Sequence, residues 1–157
     1  MKLVTRFCLL IAIIGLWSCN PNRVYEKNID IKDNVWDKDV KTSYTVDIED
    51  TTQHYDVYVN IRHTTFYQFS NLWIMIYTTF PDGKRLTQRI EFELAEKDGK
   101  WTGDCFGSAC DISLPIQRNA IFNEKGKYTF QFEQIMRADK LPAVMAMGLK
   151  IEKSVRK

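Results

Sequence analysis

The chain has 157 residues, of which 45% are hydrophobic and 13% aromatic, and its formal net charge is +2. This length is enough for a single domain with a hydrophobic core. The near-neutral charge gives no reason to expect nucleic acid as a partner, and the composition does not indicate a long disordered segment.

Residues 1–18 have the layout of a secretory signal. Lys2 and Arg6 precede an uncharged stretch at 7–17, and the small Ser18 stands directly before Cys19. A helix of eleven residues is about 16 Å long, whereas a bilayer core is about 30 Å thick, so a spanning anchor is not expected. The pattern predicts a signal peptide over residues 1–18.

The residues just before Cys19 also resemble the lipobox of bacterial lipoprotein signals, with Leu16 at minus three and Ser18 at minus one. Trp17 at minus two is bulkier than the usual residue there. In that class the cysteine becomes the first mature residue and carries fatty-acyl chains such as palmitate, which makes Cys19 the predicted lipidation site. An ordinary signal peptide that is cut nearby is the alternative.

Cleavage before Cys19 removes 18 of the 157 residues and leaves 139. The first 18 contain two basic residues and no acidic one, so the formal side-chain charge falls from +2 to zero. Residues 19–33 are predicted to be an acylated N-terminus and tether that joins the sheet around Val24 or Tyr25. Residues 34–157 are predicted to form the folded domain.

Alternation of apolar and polar residues dominates the rest of the chain, which predicts half-buried strands. The apolar sets are Tyr44, Val46 and Ile48; Tyr55, Val57, Val59 and Ile61; Ile90, Phe92 and Leu94; Tyr128, Phe130 and Phe132; and Met145, Met147, Leu149 and Ile151. About eight strands with turns between them predict an all-β fold, a single antiparallel β-sandwich. The jelly roll is one topology that this number of strands allows.

Three segments depart from this alternation. Residues 72–77 (LWIMIY) are apolar on both faces, which fits a strand that is covered on both sides or whose outer face meets a partner. Segments 117–122 and 137–141 are the best candidates for short helical turns. No long helical pattern occurs in the sequence.

Cys105 and Cys110 remain as an even pair once Cys8 leaves with the signal and Cys19 is acylated. In an oxidising compartment, a disulfide between them is favoured over two free thiols. Their spacing is not CxxC, and no second ligand pair lies nearby, so neither a redox role nor a metal site is expected.

Catalytic motifs are missing from the sequence. His54 and His63 lack a nearby nucleophile motif, and no zinc or phosphate-binding pattern is present. We therefore expect no catalytic residues, no cofactor, no metal and no small-molecule substrate. A carbohydrate- or peptidoglycan-binding module is the alternative, with an aromatic platform formed by exposed rings. Its candidate residues are Tyr58, Phe66, Tyr67, Phe69 and Trp73.

Several segments in collinear order resemble the gliding-motility lipoprotein GldH family of Bacteroidetes. They are 62–65 (RHTT) with Tyr67 and 70–72 (SNL), 78–84 (TTFPDGK), 126–130 (GKYTF), 133–137 (EQIMR), and then Asp139, 141–142 (LP), Gly148 and 151–152 (IE). The resemblance implies a non-enzymatic envelope lipoprotein that supports gliding and type IX protein secretion. The Cys105–Cys110 pair is not part of this pattern.

Two of the resembling segments are candidates for a partner surface, namely Arg62, His63 and Thr64 in one and Met136 and Arg137 in the other. The alternative is a buried hydrogen-bond network that fixes neighbouring strands, and we favour that alternative. The expected partners are the membrane, through acylated Cys19, and other envelope lipoproteins or components of the gliding and secretion machinery. Asn20 follows the cysteine, and no acidic run follows. This favours the periplasm-facing leaflet of the outer membrane over the inner membrane.

Overall fold

A computed structural model describes residues 21–155, in which strands dominate and no α-helix occurs. Within this range the strands are β1 (Arg23–Asp30), β2 (Val35–Asp37), β3 (Thr42–Ile48), β4 (Tyr55–Thr64), β5 (Asn71–Thr79), β6 (Arg85–Glu93), β7 (Asp104–Phe106), β8 (Ala109–Ala120), β9 (Gly126–Gln134), β10 (Lys140–Pro142) and β11 (Val144–Lys153). A single 3-10 turn, Lys32–Asn34, follows β1. No helix among the described residues is long and apolar enough to cross a bilayer.

Two antiparallel sheets form a sandwich. The first, which we name the β1 sheet, has the order β1-β11-β4-β8-β7, and the second, the β6 sheet, has the order β3-β9-β5-β6. The short strands β2 and β10 form a separate pair. With β2, β7 and β10 set aside, the eight long strands form the two four-stranded sheets of a jelly roll, β1-β11-β4-β8 and β3-β9-β5-β6. The predicted antiparallel β-sandwich is confirmed.

The core forms where the alternating apolar residues of the two sheets meet. Every second residue of β3, β4, β5 and β9 is buried, so each of these strands has one face in the core and one outside. Trp36 of β2 and Leu141 of β10 lie opposite each other, and both are fully buried. The apolar alternation in the sequence therefore gives the inward faces of β3, β4 and β9 correctly, whereas β5, which is apolar on both faces, gave no such prediction.

The last predicted strand differs in one respect. Val144, rather than Met145, lies opposite the inward-facing His63, and Ala146 lies opposite Arg62. Met145 is the extra residue of a β-bulge, and a bulge shifts the alternation by one position. Met147, Leu149 and Ile151 are buried as predicted, but Met145 is only half-buried.

Two expectations about local structure are wrong. Residues 117–120 belong to β8 and 140–142 to β10, so neither predicted helical turn exists. Strand pairing decides both segments, since Ala120 pairs with Tyr55 and Leu141 with Trp36. β1 begins at Arg23, next to Val24 and Tyr25, around which the sequence analysis expected the N-terminal segment to join the sheet.

The doubly apolar segment 72–77 lies in β5, between β9 and β6. Leu72, Ile74 and Ile76 are buried between the sheets. On the outer face, guanidinium groups cover the aromatic rings: Arg89 lies 4.3 Å from the centroid of Trp73, and Arg85 lies 4.1 Å from that of Tyr77. Cation–π contacts on this chain's own neighbouring strand thus cover part of this face.

Candidate interaction surface

The five residues predicted as a partner surface all lie near one end of the sandwich, which we call the loop end. It contains the β4–β5 loop (65–70), the β6–β7 loop (94–103) and the β7–β8 turn (107–108). Within the β1 sheet, Arg23 pairs with Glu152 at the opposite end, where β1 begins. Strands of eight to ten residues separate the two ends, a distance of roughly 30 Å.

The structure does not bring the five residues together on a single surface. Arg62 lies on the outer face of β4 and pairs with Asp111 at 3.3 Å, whereas His63 points inward and is buried. Thr64 is half-buried, and its hydroxyl accepts a hydrogen bond from the backbone N–H of Phe66 at 3.2 Å. The exposed Arg62–Asp111 pair contributes little to stability.

Met136 and Arg137 lie in the β9–β10 loop, beside the start of β5. The sulfur of Met136 accepts a hydrogen bond from the backbone N–H of Trp73 at 3.3 Å, and the side chain packs against the core. Arg137 is exposed. Met136 therefore anchors its loop, and only Arg137 of this pair is open to a partner.

His63 belongs to a layer of rings beneath the loop end, which we call the support layer (His63, Tyr67 and Trp101). The His63 ring lies 4.5 Å from the Trp101 ring and 5.7 Å from the Tyr67 ring, measured between centroids. The Nδ1 atom of His63 lies 2.9 Å from the carbonyl oxygen of Thr64, and the buried Nε2 atom has no hydrogen-bond partner in the described part of the chain. Burial lowers the pKa of His63, although the Thr64 carbonyl and the charge of Asp111 oppose this shift.

Tyr67 closes the support layer on the side of the β4–β5 loop. Its hydroxyl donates a hydrogen bond to the carbonyl oxygen of Asn71 at 3.0 Å, and only 4% of the residue is exposed. Burial raises the pKa of Tyr67, so the phenol stays protonated. Of the residues for which the sequence analysis favoured a buried hydrogen-bond network, only His63 lies in this layer, where it contacts two aromatic rings.

Two phenylalanines project outward above the support layer, and we name them the phenylalanine tip (Phe66 and Phe106). Phe106 is 93% exposed and Phe66 is 78% exposed. Their loops touch, because the backbone N–H of Thr65 donates to the carbonyl oxygen of Ser108 at 2.9 Å. Aromatic side chains are enriched at protein–protein interfaces, so two exposed rings next to touching backbone segments mark a candidate contact surface.

The hairpin that carries Phe106 is closed by a disulfide. Cys105 and Cys110 lie opposite each other in the β7–β8 pair and are bonded, with their Cα atoms 4.0 Å apart. Gly107 has a φ of +62°, which suits the two-residue turn between Phe106 and Ala109. A disulfide restricts the conformations of so short a loop, so Phe106 projects from a hairpin with little freedom.

The predicted aromatic platform for carbohydrate binding is not assembled. Tyr67 is buried, Tyr58 lies on the outer face of the β1 sheet, and Trp73 lies on the outer face of the β6 sheet. Phe66, Tyr67 and Phe69 share the β4–β5 loop, and the ring of Phe69 packs edge-on against the buried Tyr67 at 5.7 Å. The five rings therefore form no single row.

A shallow cavity of about 310 Å³ lies on the outer face of the β1 sheet. Asn60 crosses its floor, donating to Glu26 at 3.1 Å and to Asn28 at 3.2 Å and accepting from Ser113 at 2.8 Å. Several of the polar side chains that line this cavity therefore form hydrogen bonds with one another. Among the described residues, no group of His, Cys, Asp or Glu side chains could hold a metal ion.

The sequence as a whole matches one known family. The family model described as GldH lipoprotein matches residues 23–151. The chain belongs to the GldH lipoprotein family. The resemblance seen in the sequence is thereby confirmed, and the matched range runs from the start of β1 into β11.

Two relatives of this GldH-family chain match over nearly their full length. A protein of Christiangramia forsetii named gliding motility lipoprotein GldH homolog is 32% identical over 155 residues, which is 94% of both chains. The gliding motility lipoprotein GldH of Flavobacterium johnsoniae is 29% identical over 148 residues, covering 94% of this chain and 91% of that protein.

Solved structures similar to this chain are distant. A carbohydrate-binding module specific for non-crystalline cellulose is 7% identical with a TM-score of 0.40, covering 86% of this chain and 74% of the module. The VP2 subviral particle of infectious bursal disease virus is 15% identical with a TM-score of 0.37, covering 81% of this chain and 32% of that one.

The phenylalanine tip was missed as a unit by the sequence analysis. The predicted sugar platform included Phe66, and no prediction from the sequence included Phe106. A signal for Phe106 is present in the sequence, because it directly precedes Gly107 between two cysteines that can close a hairpin. Nothing in the sequence indicates that the 65–70 loop lies beside this hairpin, because that contact depends on the tertiary fold.

Proposed function

We propose that this chain is a lipid-anchored protein of the cell envelope that supports gliding motility by binding other proteins, without catalysing a reaction. Family membership and the two full-length relatives named for gliding motility support this role. Type IX protein secretion is the associated process in which we expect the protein to take part. The proposed location is the outer membrane, with the domain facing the periplasm.

The proposed anchor is a lipid on Cys19, which lies outside the described residues. Cys19 stands four positions before Arg23, where β1 begins, and an extended chain spans at most about 3.3–3.6 Å per residue. The start of β1 would therefore lie within about 14 Å of the lipid attachment point. Two or more acyl chains give stable membrane binding, so no spanning helix is needed.

The observation that carries the binding role is the phenylalanine tip. Two exposed rings on touching loops lie at the end of the sandwich opposite the start of β1, so a lipid at Cys19 does not cover them. Rigid aromatic side chains contribute strongly to binding energy when a partner buries them in a pocket. We propose that Phe66 and Phe106 enter an apolar pocket of an envelope protein.

Complementation tests this proposal. In a Flavobacterium johnsoniae strain that lacks its own relative, full-length wild-type chain should restore spreading on agar, and Phe66→Ser with Phe106→Ser should not. Ile121→Ser is the matched control, because Ile121 is also an exposed apolar side chain, 56% exposed, but lies at the opposite end. Restored spreading by the double variant, at equal protein levels, would refute the binding role of the tip.

The anchor has a separate test. Cys19→Ala should lose labelling by a fatty-acid analogue in cells, whereas Cys105→Ala with Cys110→Ala should keep it. Persistent labelling of the Cys19→Ala variant would rule out lipidation at this residue.

A further inference from the structure

The long edge strand β6 has a partner on one side only. Among the described residues, β5 pairs with β6, and no strand pairs with the other side of β6. β1 and β3 contact each other, which closes the sandwich at the edge where those two strands lie. At the opposite edge lie β6 in one sheet and β8 with the short β7 in the other, and within residues 21–155 β6 pairs with neither of them.

The backbone of β6 presents unpaired hydrogen-bonding groups along this edge. Phe80 N–H donates to the carbonyl oxygen of Lys84 at 2.9 Å, and Leu94 N–H donates to that of Ser70 at 2.7 Å. In an antiparallel ladder, hydrogen-bonded pairs alternate with non-hydrogen-bonded pairs, so the even-numbered residues of β6 bond to β5. The N–H and C=O groups of Thr87, Arg89 and Glu91 therefore point outward.

The basic and the acidic side chains of β6 lie in different parts of the strand. Arg85 and Arg89 occupy its first half, and Glu91 and Glu93 occupy its second half. None of the four has an ion-pair partner within residues 21–155. An antiparallel copy of the same strand would place the acidic half opposite the basic half.

The β6 side chains on the side of the core also leave apolar surface exposed to water. Leu86 is 45% exposed, and Ile90 is only half-buried against the core. Ile112, Leu114 and Ile116 of β8, the neighbouring strand at this edge, are half-buried as well. A strand added beside β6 would shield this row from water.

From these observations we propose that two copies of this chain pair through β6, antiparallel and about a two-fold axis, to give a continuous eight-stranded sheet. The register that fits has Ile90 opposite Ile90 and Arg89 of each copy opposite Glu91 of the other. Pairing Arg89 with Arg89 would put like charges opposite each other, which is destabilising. A symmetric pairing of this kind uses one patch twice and closes at the dimer.

The proposed dimer goes beyond the proposed function. Its pairing uses neither the N-terminal segment nor the residues of the phenylalanine tip. β1 lies at the opposite edge of its sheet from β8 and β7, so the N-terminal segment of each copy stays clear of the pairing. Phe66 lies in the loop after β4 and Phe106 is the last residue of β7, so neither ring belongs to β6. A failure of dimerisation would therefore not remove the proposed binding role of the tip.

Cysteine cross-linking of the full-length protein in intact cells tests the register. Ile90 stands in a non-hydrogen-bonded pair of the proposed dimer, where facing Cα atoms are about 4.5 Å apart, so Ile90→Cys should form a disulfide-linked dimer under mild oxidation. Ile29→Cys is the matched control, because Ile29 is also a half-buried inward residue of an edge strand, β1. It should give no dimer.

Charge reversal provides the second test. Arg89→Glu and Glu91→Arg should each lower the yield of the Ile90→Cys dimer about tenfold, since each creates two like-charge contacts, and the double reversal should restore it. Native mass spectrometry of the unmodified full-length protein in mild detergent should give twice the monomer mass. Any of three results would overturn the proposal. The first is a cross-link yield no higher than that of Ile29→Cys, and the second is an adduct with a different protein in place of the dimer. The third is that the double reversal does not restore the yield.

Discussion

Phe66 and Tyr67 are neighbours in the chain, yet they belong to two regions with different tasks. Tyr67 lies in the support layer with 4% of its surface exposed, whereas Phe66 lies in the phenylalanine tip with 78% exposed. The first region stabilises the loop end through ring contacts, and the second contributes little to folding and presents apolar surface. Aromatic content alone does not separate the two roles, because only the fold decides which ring is covered.

Removal of a support-layer ring should give the largest loss of stability. Tyr67→Ala leaves a cavity beside His63 and Phe69, and truncation of a buried aromatic ring costs about 3–5 kcal/mol. Tyr67→Phe keeps the ring and loses only the hydrogen bond to Asn71, which costs about 1 kcal/mol. Urea unfolding of both variants checks this order. If Tyr67→Ala unfolds at the same urea concentration as wild type, the support layer has been assigned wrongly.

Loss of the disulfide should have an intermediate effect. Cys105→Ala with Cys110→Ala should lower the free energy of unfolding by about 2 kcal/mol on the chain-entropy model for so short a loop. Chemical denaturation measures this value, and wild-type protein under reducing conditions should match the double variant. The variant should also bind its partner more weakly, because Phe106 would then project from a less restricted hairpin.

Acidification should act on the support layer through His63. Its pKa in the folded state is lowered by burial, so below about pH 6.5 the unfolded chain binds the proton more readily than the folded chain does. The free energy of unfolding should therefore fall as the pH is lowered from 7 towards 5. The pKa values of Asp56 and Glu133 are also lowered, so their stabilising effect is lost only at more acidic pH. His63→Leu should flatten the profile between pH 7 and 5, and an unchanged slope would contradict this assignment.

Truncation of the phenylalanine tip should have the smallest effect on folding. Phe66→Ala and Phe106→Ala should each change the free energy of unfolding by less than about 0.5 kcal/mol, because both rings are already in water. Thermal and urea unfolding check this expectation. Either variant losing as much stability as Tyr67→Ala would erase the distinction between the two regions.

Much of the fold could be predicted from the alternation of apolar residues, because a buried strand face has a period of two. Where the prediction was wrong, a tertiary constraint decided the structure. The bulge at Met145 and the pairing of residues 117–120 with β4 both arise from a neighbouring strand that is distant in sequence. Composition within a window of a few residues does not encode such partners.

The interaction surface was less predictable than the fold. Arg62, His63 and Thr64 follow one another in the sequence, but strand alternation sends Arg62 outward and His63 inward. The contact beside Phe66 and Phe106 joins Thr65 and Ser108, which are 43 positions apart in the sequence. Family resemblance identified the segment around His63 but not the exposed rings that lie above it.

Site-specific photo-cross-linking from the tip tests the central claim most directly. A benzoyl-phenylalanine at position 106 of the full-length protein, irradiated in living cells, should give one discrete adduct with another envelope protein. Phe66→Ser in the same chain should remove this adduct, and the same probe at the exposed Lys125, at the opposite end, should not produce it. No adduct from position 106, or an identical adduct from position 125, would contradict the assignment of the phenylalanine tip as the partner-binding surface.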